Sequence, residues 1–426
     1  MDRGGPGHSG WSRGGARSET ICMLRYSLRH STGTVRPPRI ALLVDRFDGR
    51  GGAETYSRDL ADWLAARGCD VHVIGRTYGP REQLLPVTFH QLPPTRSWAA
   101  FVHEARSSIA AIAPDVTHDM GVAVGCDIFH SHVGSPLACQ QAADLAQPAW
   151  YRPIRRVMQS AVRRRRIAAR AAMQFGAAES LCIALSHRGA ADLTTLHGVS
   201  PGRIRLVPNG VDAERFNPAR HRDAGAALRR RYGFAPDDVV VIGVAHNQRL
   251  KGIPVLVRAV LALRREGLPL KLLLCGGGRA ASPTSPETAI VELGCVSDMA
   301  ACYAAADIAV QPSFYDACSL ATLESLASGL PVVTTRANGA SELLTPDDAI
   351  LLNDAADGAT LTATLRQLAS DRWLRASLGR AARRRAMELG VEAAFSSIIA
   401  VYGEVVAAHG CRLVGADAAA VQHRVA

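Results

Sequence analysis

Two carboxylates eight positions apart, Asp316 and Glu324, flank Ser319, which can cap a helix running to about Ser328 with Gly329 as its stop and Pro331 opening the next strand. The first backbone N–H groups of such a helix, from about Ser319 to Thr322, lack internal partners and lie where the helix dipole favours negative charge. A diphosphate suits that end. Cys318, Ser319, Leu320 and Ala321 would then line it through their backbone. Glu324, on the second turn, is the right kind of group to accept hydrogen bonds from ribose hydroxyls, and Asp316, in the loop before the helix, could accept them from a sugar. By itself a Ser-capped helix with one glutamate is common, so the pattern needs partners elsewhere in the chain.

Three other stretches supply candidates. The apolar run Val239 to Ala245 is followed by HNQRLKG, so Arg249 and Lys251 fall in the loop at a strand's carboxyl end, where open α/β sheets bind ligands. Of 49 basic residues only Lys251 and Lys271 are lysines, which marks Lys251 as a place for a compact charge that the planar fork of arginine would not fit. Near the start, RIALLVD (39 to 45) leads through Gly51 and Gly52 into an amphipathic helix from Ala53 to Arg67. A glycine pair lets backbone approach a ligand closely, and Glu54 follows at once, although many tight turns need glycine for sterics alone. The run CDIFHSH (126 to 132) carries His130 and His132, of which at most one is expected to face the site. Of the two, His132 is the preferred site residue. No Asp-x-Asp triplet occurs, so no metal is expected.

These groups need sheets to hold them. Short apolar runs at 39–45, 71–75, 115–118, 126–132, 181–185 and 204–207 alternate with helical patterns, and the same grammar resumes at 239–245, 271–278, 290–296, 307–311 and after Pro331. The expected fold is α/β, two doubly wound Rossmann-like domains with a cleft between them. The expected divisions are a disordered extension over 1–37, a first domain over 38–205, a second over 206–390, a helix over 391–409 and a loose tail over 410–426. Loops at about 78–95 and 133–151 carry no readable signal.

The segment FYDACSLATLESLASGLPVVTT (314 to 335) resembles the donor-binding signature of retaining family 4 (group 1) glycosyltransferases, in which two glutamates with seven residues between them precede a small-Gly-Leu-Pro-Val-Val run. Asp316 stands in place of the first glutamate. GGAE at 51–54 is similar to the family's GG(A/I)E loop, and PNGVD at 208–212 to its interdomain hinge. The resemblance covers roughly residues 38 to 408 and is strongest from 181 to 342; its finer pattern is nearest to bacterial lipopolysaccharide-core glucosyltransferases. It implies a GT-B architecture, in which Glu324 holds the ribose and the helix amides and Lys251, with Arg249, hold the diphosphate. Asp316 and His132 would lie near the sugar, and Gly51, Gly52 and Glu54 would face it across the cleft. It further implies retention of anomeric configuration and a last helix crossing back to the first domain. The expected reaction moves a hexose from a nucleotide-sugar, UDP-linked, to a glycan or glycolipid hydroxyl of the cell envelope, without metal or other cofactor. Two readings stand beside it: a non-catalytic donor-binding scaffold, and a sugar-nucleotide epimerase of the same architecture.

Composition bounds the partners. The chain has 426 residues, enough for two domains, and a net charge of +11. That charge is local: residues 1–39 carry seven arginines against two acids, and residues 152–170 carry eight arginines and no acid. Arg152 to Arg170, interleaved with Ile154, Val157, Met158 and Ile167, could lie on anionic lipid, bind an acidic acceptor or be a solvated face. Nucleic acid is not expected, because no aromatic residues interleave with these arginines. Ten cysteines show no CxxC pair, as in a reduced cytoplasmic protein, here one peripheral on the inner face of the plasma membrane. No run of eighteen uncharged apolar residues occurs, so no bilayer-spanning segment is expected. The first thirty-odd residues lack the apolar core of a secretory signal, and Met23 is a second candidate start.

Overall fold

The structure, a computed structural model, describes residues 36–49, 51–79, 85–95, 97–122, 125–148, 150–152, 154, 161–277 and 289–422, with 161–163 and 411–422 as backbone alone. The extension expected over 1–37 lies outside the described residues except for Arg36 and Pro37, as do Gly278, Arg155 and Arg156.

The first domain holds β1 (Arg39–Leu43), β2 (Arg46–Phe47), β3 (Asp70–Gly75), β4 (Thr77–Tyr78), β5 (Thr88–Gln91), β6 (Val116–Asp119), β7 (Ile128–His130), β8 (Leu181–Ala184) and β9 (Ile204–Leu206). Seven of these form one parallel sheet in the order β5-β3-β1-β6-β7-β8-β9, and β2 pairs with β4 beside it. The central strands read as unbroken apolar runs because helices cover both faces, and Ile40 to Leu43 are fully buried. The second domain repeats the plan with β10 (Val239–Val244), β11 (Leu270–Cys275), β12 (Ile290–Gly294), β13 (Ile308–Gln311), β14 (Val332–Thr335) and β15 (Ala349–Leu352), ordered β12-β11-β10-β13-β14-β15 and parallel throughout. In each sheet the winding reverses beside the first strand, between β1 and β6 and between β10 and β13. Crevices at the carboxyl ends open there.

The chain passes between domains twice at one place. Val211 N–H donates to Leu389 O at 2.9 Å, and Val391 N–H donates to Val211 O at 3.2 Å. A side chain at Gly210 would put its Cβ 2.7 Å from Val391 Cα, which is why glycine stands in the crossing. Beyond it the helix Val391–Gln422 returns to the first domain, where Phe395, Ile398, Ile399, Tyr402, Val405 and Val406 join Ile40, Leu42 and Leu60 in one core. Arg67 and Trp63 hold Glu392 at 2.7 and 2.9 Å.

Several expectations are corrected. The last helix does not end near His409 but runs to Gln422; Gly410 is a lone helix-weakening residue in an Ala-rich stretch and does not stop it. Its segment Val391–Gly410, with mean hydropathy 1.5, is long and apolar enough by length and composition to cross a membrane, although Glu392 and Glu404 interrupt it. In the fold its apolar face is taken by the first-domain core. Within the stretch 133–151 a helix forms at Pro136–Leu145, capped by Ser135, and another forms at Pro218–Arg231, capped by Asn217. The Arg-rich helix spans Ala161–Phe175, and Tyr151, Arg152 and Ile154 are helical before it.

The loop bearing Lys251 depends on Gly252, whose φ is +70° and where a Cβ would lie 2.0 Å from Pro312 O. Gly252→Ala is therefore expected to destabilise the second domain by about 2–4 kcal/mol through left-handed strain and overlap with backbone. A urea melt followed by tryptophan fluorescence and circular dichroism checks this. A wild-type midpoint would mean that the loop relaxes freely.

Candidate active site

The loops at the carboxyl ends of β1, β10 and β13 meet across the cleft. Gly51 caps the helix Gly52–Ala65 without a side chain, and Glu54 folds back so closely that a Cβ on Gly51 would lie 2.3 Å from its Oε2. A Cβ on Gly52 would lie 3.4 Å from Leu320 Cδ1 of the second domain. The glycine turn and the start of the helix at Leu320 thus face each other directly.

The helix at the centre of the motif spans Leu320–Ala327, capped by Ser319 Oγ, which accepts from Thr322 N–H at 3.3 Å. Of the amides expected to be free, Ser319 N–H is also taken: it donates to Asn338 Oδ1 at 3.1 Å. Only Leu320 and Ala321 N–H remain without a partner among the described residues. Asn338 is fully buried, and its amide nitrogen donates to Thr322 Oγ1 at 2.9 Å and Thr334 Oγ1 at 3.0 Å, so one side chain locks the helix start to β14. Cys318 turns its thiol into the core, where burial pushes its pKa up to about 12, and offers its carbonyl to Asn209 Nδ2 at 2.7 Å.

Lys251 and Asp316, read separately as diphosphate and sugar contacts, form an ion pair with each other. Their side chains are 22% and 12% exposed, so the pair is sheltered and still open to a ligand. Arg249 is exposed and reaches away from them, donating to Gln147 Oε1 of the first domain at 3.3 Å. Glu324 accepts from the Tyr303 hydroxyl at 2.8 Å. Burial raises the pKa of its carboxyl; the Tyr303 bond and nearby Arg215 oppose the shift, and Asp59 adds to it. Arg215 in turn pairs with Asp59 of the first domain at 3.2 Å.

The expectation that at most one of the two histidines faces the site is corrected: positions two apart share one face of an extended segment, and the His130 and His132 rings lie 4.2 Å apart on the same side. Tyr56, on the helix that follows the glycine turn, packs 4.3 Å from His132. His118 stacks on His130 from β6, with His118 Nε2 3.2 Å from His130 Nδ1. Burial holds all three neutral, lowering His118 and His132 to about 3 and His130 well below its ordinary value. Tyr56, His118, Tyr303, Asn209 and Asn338 are site residues the sequence did not single out; a polar type within an apolar run was the available signal for His118.

The two domains are pinned beside this site. Glu342 accepts from the N–H groups of His187 and Arg188, at 2.6 and 2.9 Å, at the start of the first-domain helix His187–His197. Ser135 N–H donates to the Tyr315 hydroxyl at 2.9 Å. Among the described residues no group of three or more His, Cys, Asp or Glu is disposed to hold a metal.

Residues 50–215 match the Glycosyltransferase Family 4 profile, and residues 236–371 match Glycosyl transferases group 1. An MMP alpha-(1->4)-mannosyltransferase of Mycolicibacterium hassiacum is 30% identical over 87% of this chain and 98% of its own length. The chain belongs to the group 1 glycosyltransferases. A D-inositol 3-phosphate glycosyltransferase of Salinispora arenicola is 35% identical over 52% of this chain, which spans only about half (54%) of that relative's length. Among solved structures, this group 1 member is similar to WaaG, described as a glycosyltransferase involved in lipopolysaccharide biosynthesis, with TM-score 0.69 at 18% identity over 84% of this chain and 98% of that one. Anabaena Alr3699/HepE, solved in complex with UDP and glucose, gives 0.63 at 18% identity over 85% and 98%. The fold is that of GT-B glycosyltransferases, two parallel-sheet Rossmann-like domains.

Proposed function

We propose that this protein is a retaining, metal-independent hexosyltransferase using a UDP-sugar. The observation that carries the reading is the cleft where the Gly51–Gly52 turn meets Leu320, next to two unpartnered amides, the Lys251–Asp316 pair and Glu324. In this reading the donor diphosphate lies on the Leu320 and Ala321 amides and draws Lys251 to itself, with Arg249 released from Gln147. The ribose hydroxyls donate to Glu324, and Asp316, relieved of Lys251, accepts from the sugar. The bond from anomeric carbon to diphosphate oxygen breaks with its electron pair leaving on the phosphate. The acceptor oxygen bonds to the same face, and its proton passes to the departing phosphate. Preorganised positive charge around the leaving group is the largest protein contribution. HepE's complex with UDP and glucose supports the donor assignment.

The acceptor is a hydroxyl of a cell-envelope glycan or glycolipid. A second reading, a small polyol phosphate or saccharide, is favoured by the names of the curated relatives, which point away from lipopolysaccharide. The exposed Arg165 and Arg166, with exposed Trp150 and Ile154 nearby in the chain, support contact with an anionic membrane surface from the cytoplasmic side.

The test is turnover of a panel of UDP-, GDP- and ADP-hexoses, in EDTA, with product anomers read by NMR. Slow release of one nucleoside diphosphate, accelerated by an acceptor and unaffected by EDTA, is expected. Interconversion of sugar nucleotides would instead make the protein an epimerase, saturable donor binding without turnover would make it a donor-binding scaffold, and binding of no donor would sink the assigned site.

A further inference from the structure

Outside the donor contacts, one buried chain of hydrogen bonds runs from the terminal helix to the cleft. The Tyr402 hydroxyl lies 2.8 Å from His118 Nδ1, and His118 Nε2 lies 3.2 Å from His130 Nδ1. All three side chains are fully buried. The far end of the chain, His130 Nε2, has no partner among the described residues, and neither has the adjacent His132 Nε2.

Proton bookkeeping fixes the direction of this chain. Tyr402 makes no other hydrogen bond among the described residues. Run from Tyr402 to His130, the chain leaves one group unpaired, the His130 Nε2–H; run the other way it would leave two, the Tyr402 O–H and the His130 Nε2 lone pair. Tyr402 therefore donates, His118 Nδ1 accepts, and the one proton of the neutral His118 ring sits on Nε2. That proton is donated to His130 Nδ1, which places the His130 proton on Nε2.

We propose that Tyr402 and His118 are positioning residues that fix His130 as the Nε2–H tautomer, so that the first domain presents a hydrogen-bond donor, not an acceptor, beside Tyr56 and His132. The terminal helix thereby reaches into the site through one hydroxyl. The nitrogen is itself buried and has no acceptor among the described residues, a costly state that an uncharged oxygen admitted beside Tyr56 and His132 would relieve. A catalytic use for it rests on the transferase reading, whereas the proton pattern does not.

Full-length protein labelled with 15N-histidine, with His118→Gln and His130→Gln used for assignment, tests the pattern by long-range proton–nitrogen correlation. Both His118 and His130 are expected as Nε2–H tautomers in the wild type. In Tyr402→Phe, His118 is expected to become a mixture and His130 to follow it. His130 protonated on Nδ1 in the wild type would overturn the proposal, as would an unchanged pattern in Tyr402→Phe. With the donor found in the panel, Tyr402→Phe is further expected to lower kcat about tenfold with KM nearly unchanged. Glu404→Gln, which removes the Arg205–Glu404 pair elsewhere on the same helix, is expected to leave kcat at the wild-type value; a kcat drop as large as that in Tyr402→Phe would make the helix a scaffold only and overturns the positioning role. If no donor turns over at all, the transferase reading fails while the tautomer result still decides the relay.

Discussion

Lys251→Ala is expected to cut nucleotide-sugar turnover by about 10²–10³-fold without unfolding the protein, the usual cost of losing one preorganised group that stabilises leaving-group charge. Two effects act together. The diphosphate loses its compact cation, and Asp316, now without its partner, keeps a negative charge in the same sheltered place. The Lys251→Met, Asp316→Asn double variant separates them: turnover recovering above that of Lys251→Ala assigns part of the loss to the stranded carboxylate. Lys251→Arg is expected to restore little, because the guanidinium fork has to fit a loop held against Pro312 by Gly252. Single-turnover kinetics with circular dichroism measures all three. Turnover in Lys251→Ala within threefold of wild type would shift the leaving-group role to Arg249.

Glu324→Ala is expected to weaken donor binding about 10–100-fold, the range for losing hydrogen bonds to a charged acceptor. Calorimetry reads this directly, and it also gives a pH signature. Burial raises the Glu324 pKa, so part of the donor-free protein carries a protonated Glu324 at pH values where an ordinary carboxyl is ionised. With Tyr303 already donating to one oxygen, a ribose diol needs both carboxylate oxygens as acceptors, so donor binding expels that proton. Affinity should rise with pH through the raised pKa and then level off, with proton release visible in buffers of different ionisation enthalpy. The stability linkage has the opposite sign. A carboxyl with a raised folded-state pKa contributes fully below its unfolded value, and that contribution is lost as pH rises through the folded one. Glu324→Gln is expected to abolish both slopes, and a slope that survives in it would assign the titration to another group.

The fold was largely legible because its signals are local. Apolar runs gave the central strands, and the donor helix announces both its ends, with Ser319 as cap and Gly329, at φ +71°, after its last turn. The helices at Pro136 and Pro218 carried the same kind of mark, Ser-Pro and Asn-Pro at cap and first position, which suits a helix start. Neither has a strong apolar stripe to call attention to it. What local pattern cannot give is partnership across sequence distance. Ser319 N–H looks free until the chain returns nineteen residues later with Asn338, and Arg249 meets Gln147 only because two domains face each other. The histidines divide the same way: His130 and His132, two positions apart, share one face of an extended segment and are legible as a pair, whereas His118 joins them only because β6 lies beside β7.

The crossing at Val211 and Gly390 has a consequence for how the protein is made. Because the terminal helix belongs to the first domain's core, the ribosome delivers that domain unfinished and then synthesises the whole second domain before the missing piece emerges. Until then Tyr56, Trp63 and Leu60 have no cover from Phe395 and Tyr402, and a nascent chain in that condition is a natural client for chaperones. A chain ending at Leu389 is accordingly expected to sediment as aggregate and to be rescued by co-expressing the 391–422 segment as a separate peptide. Completion of the first domain would thus report that the second has already been translated.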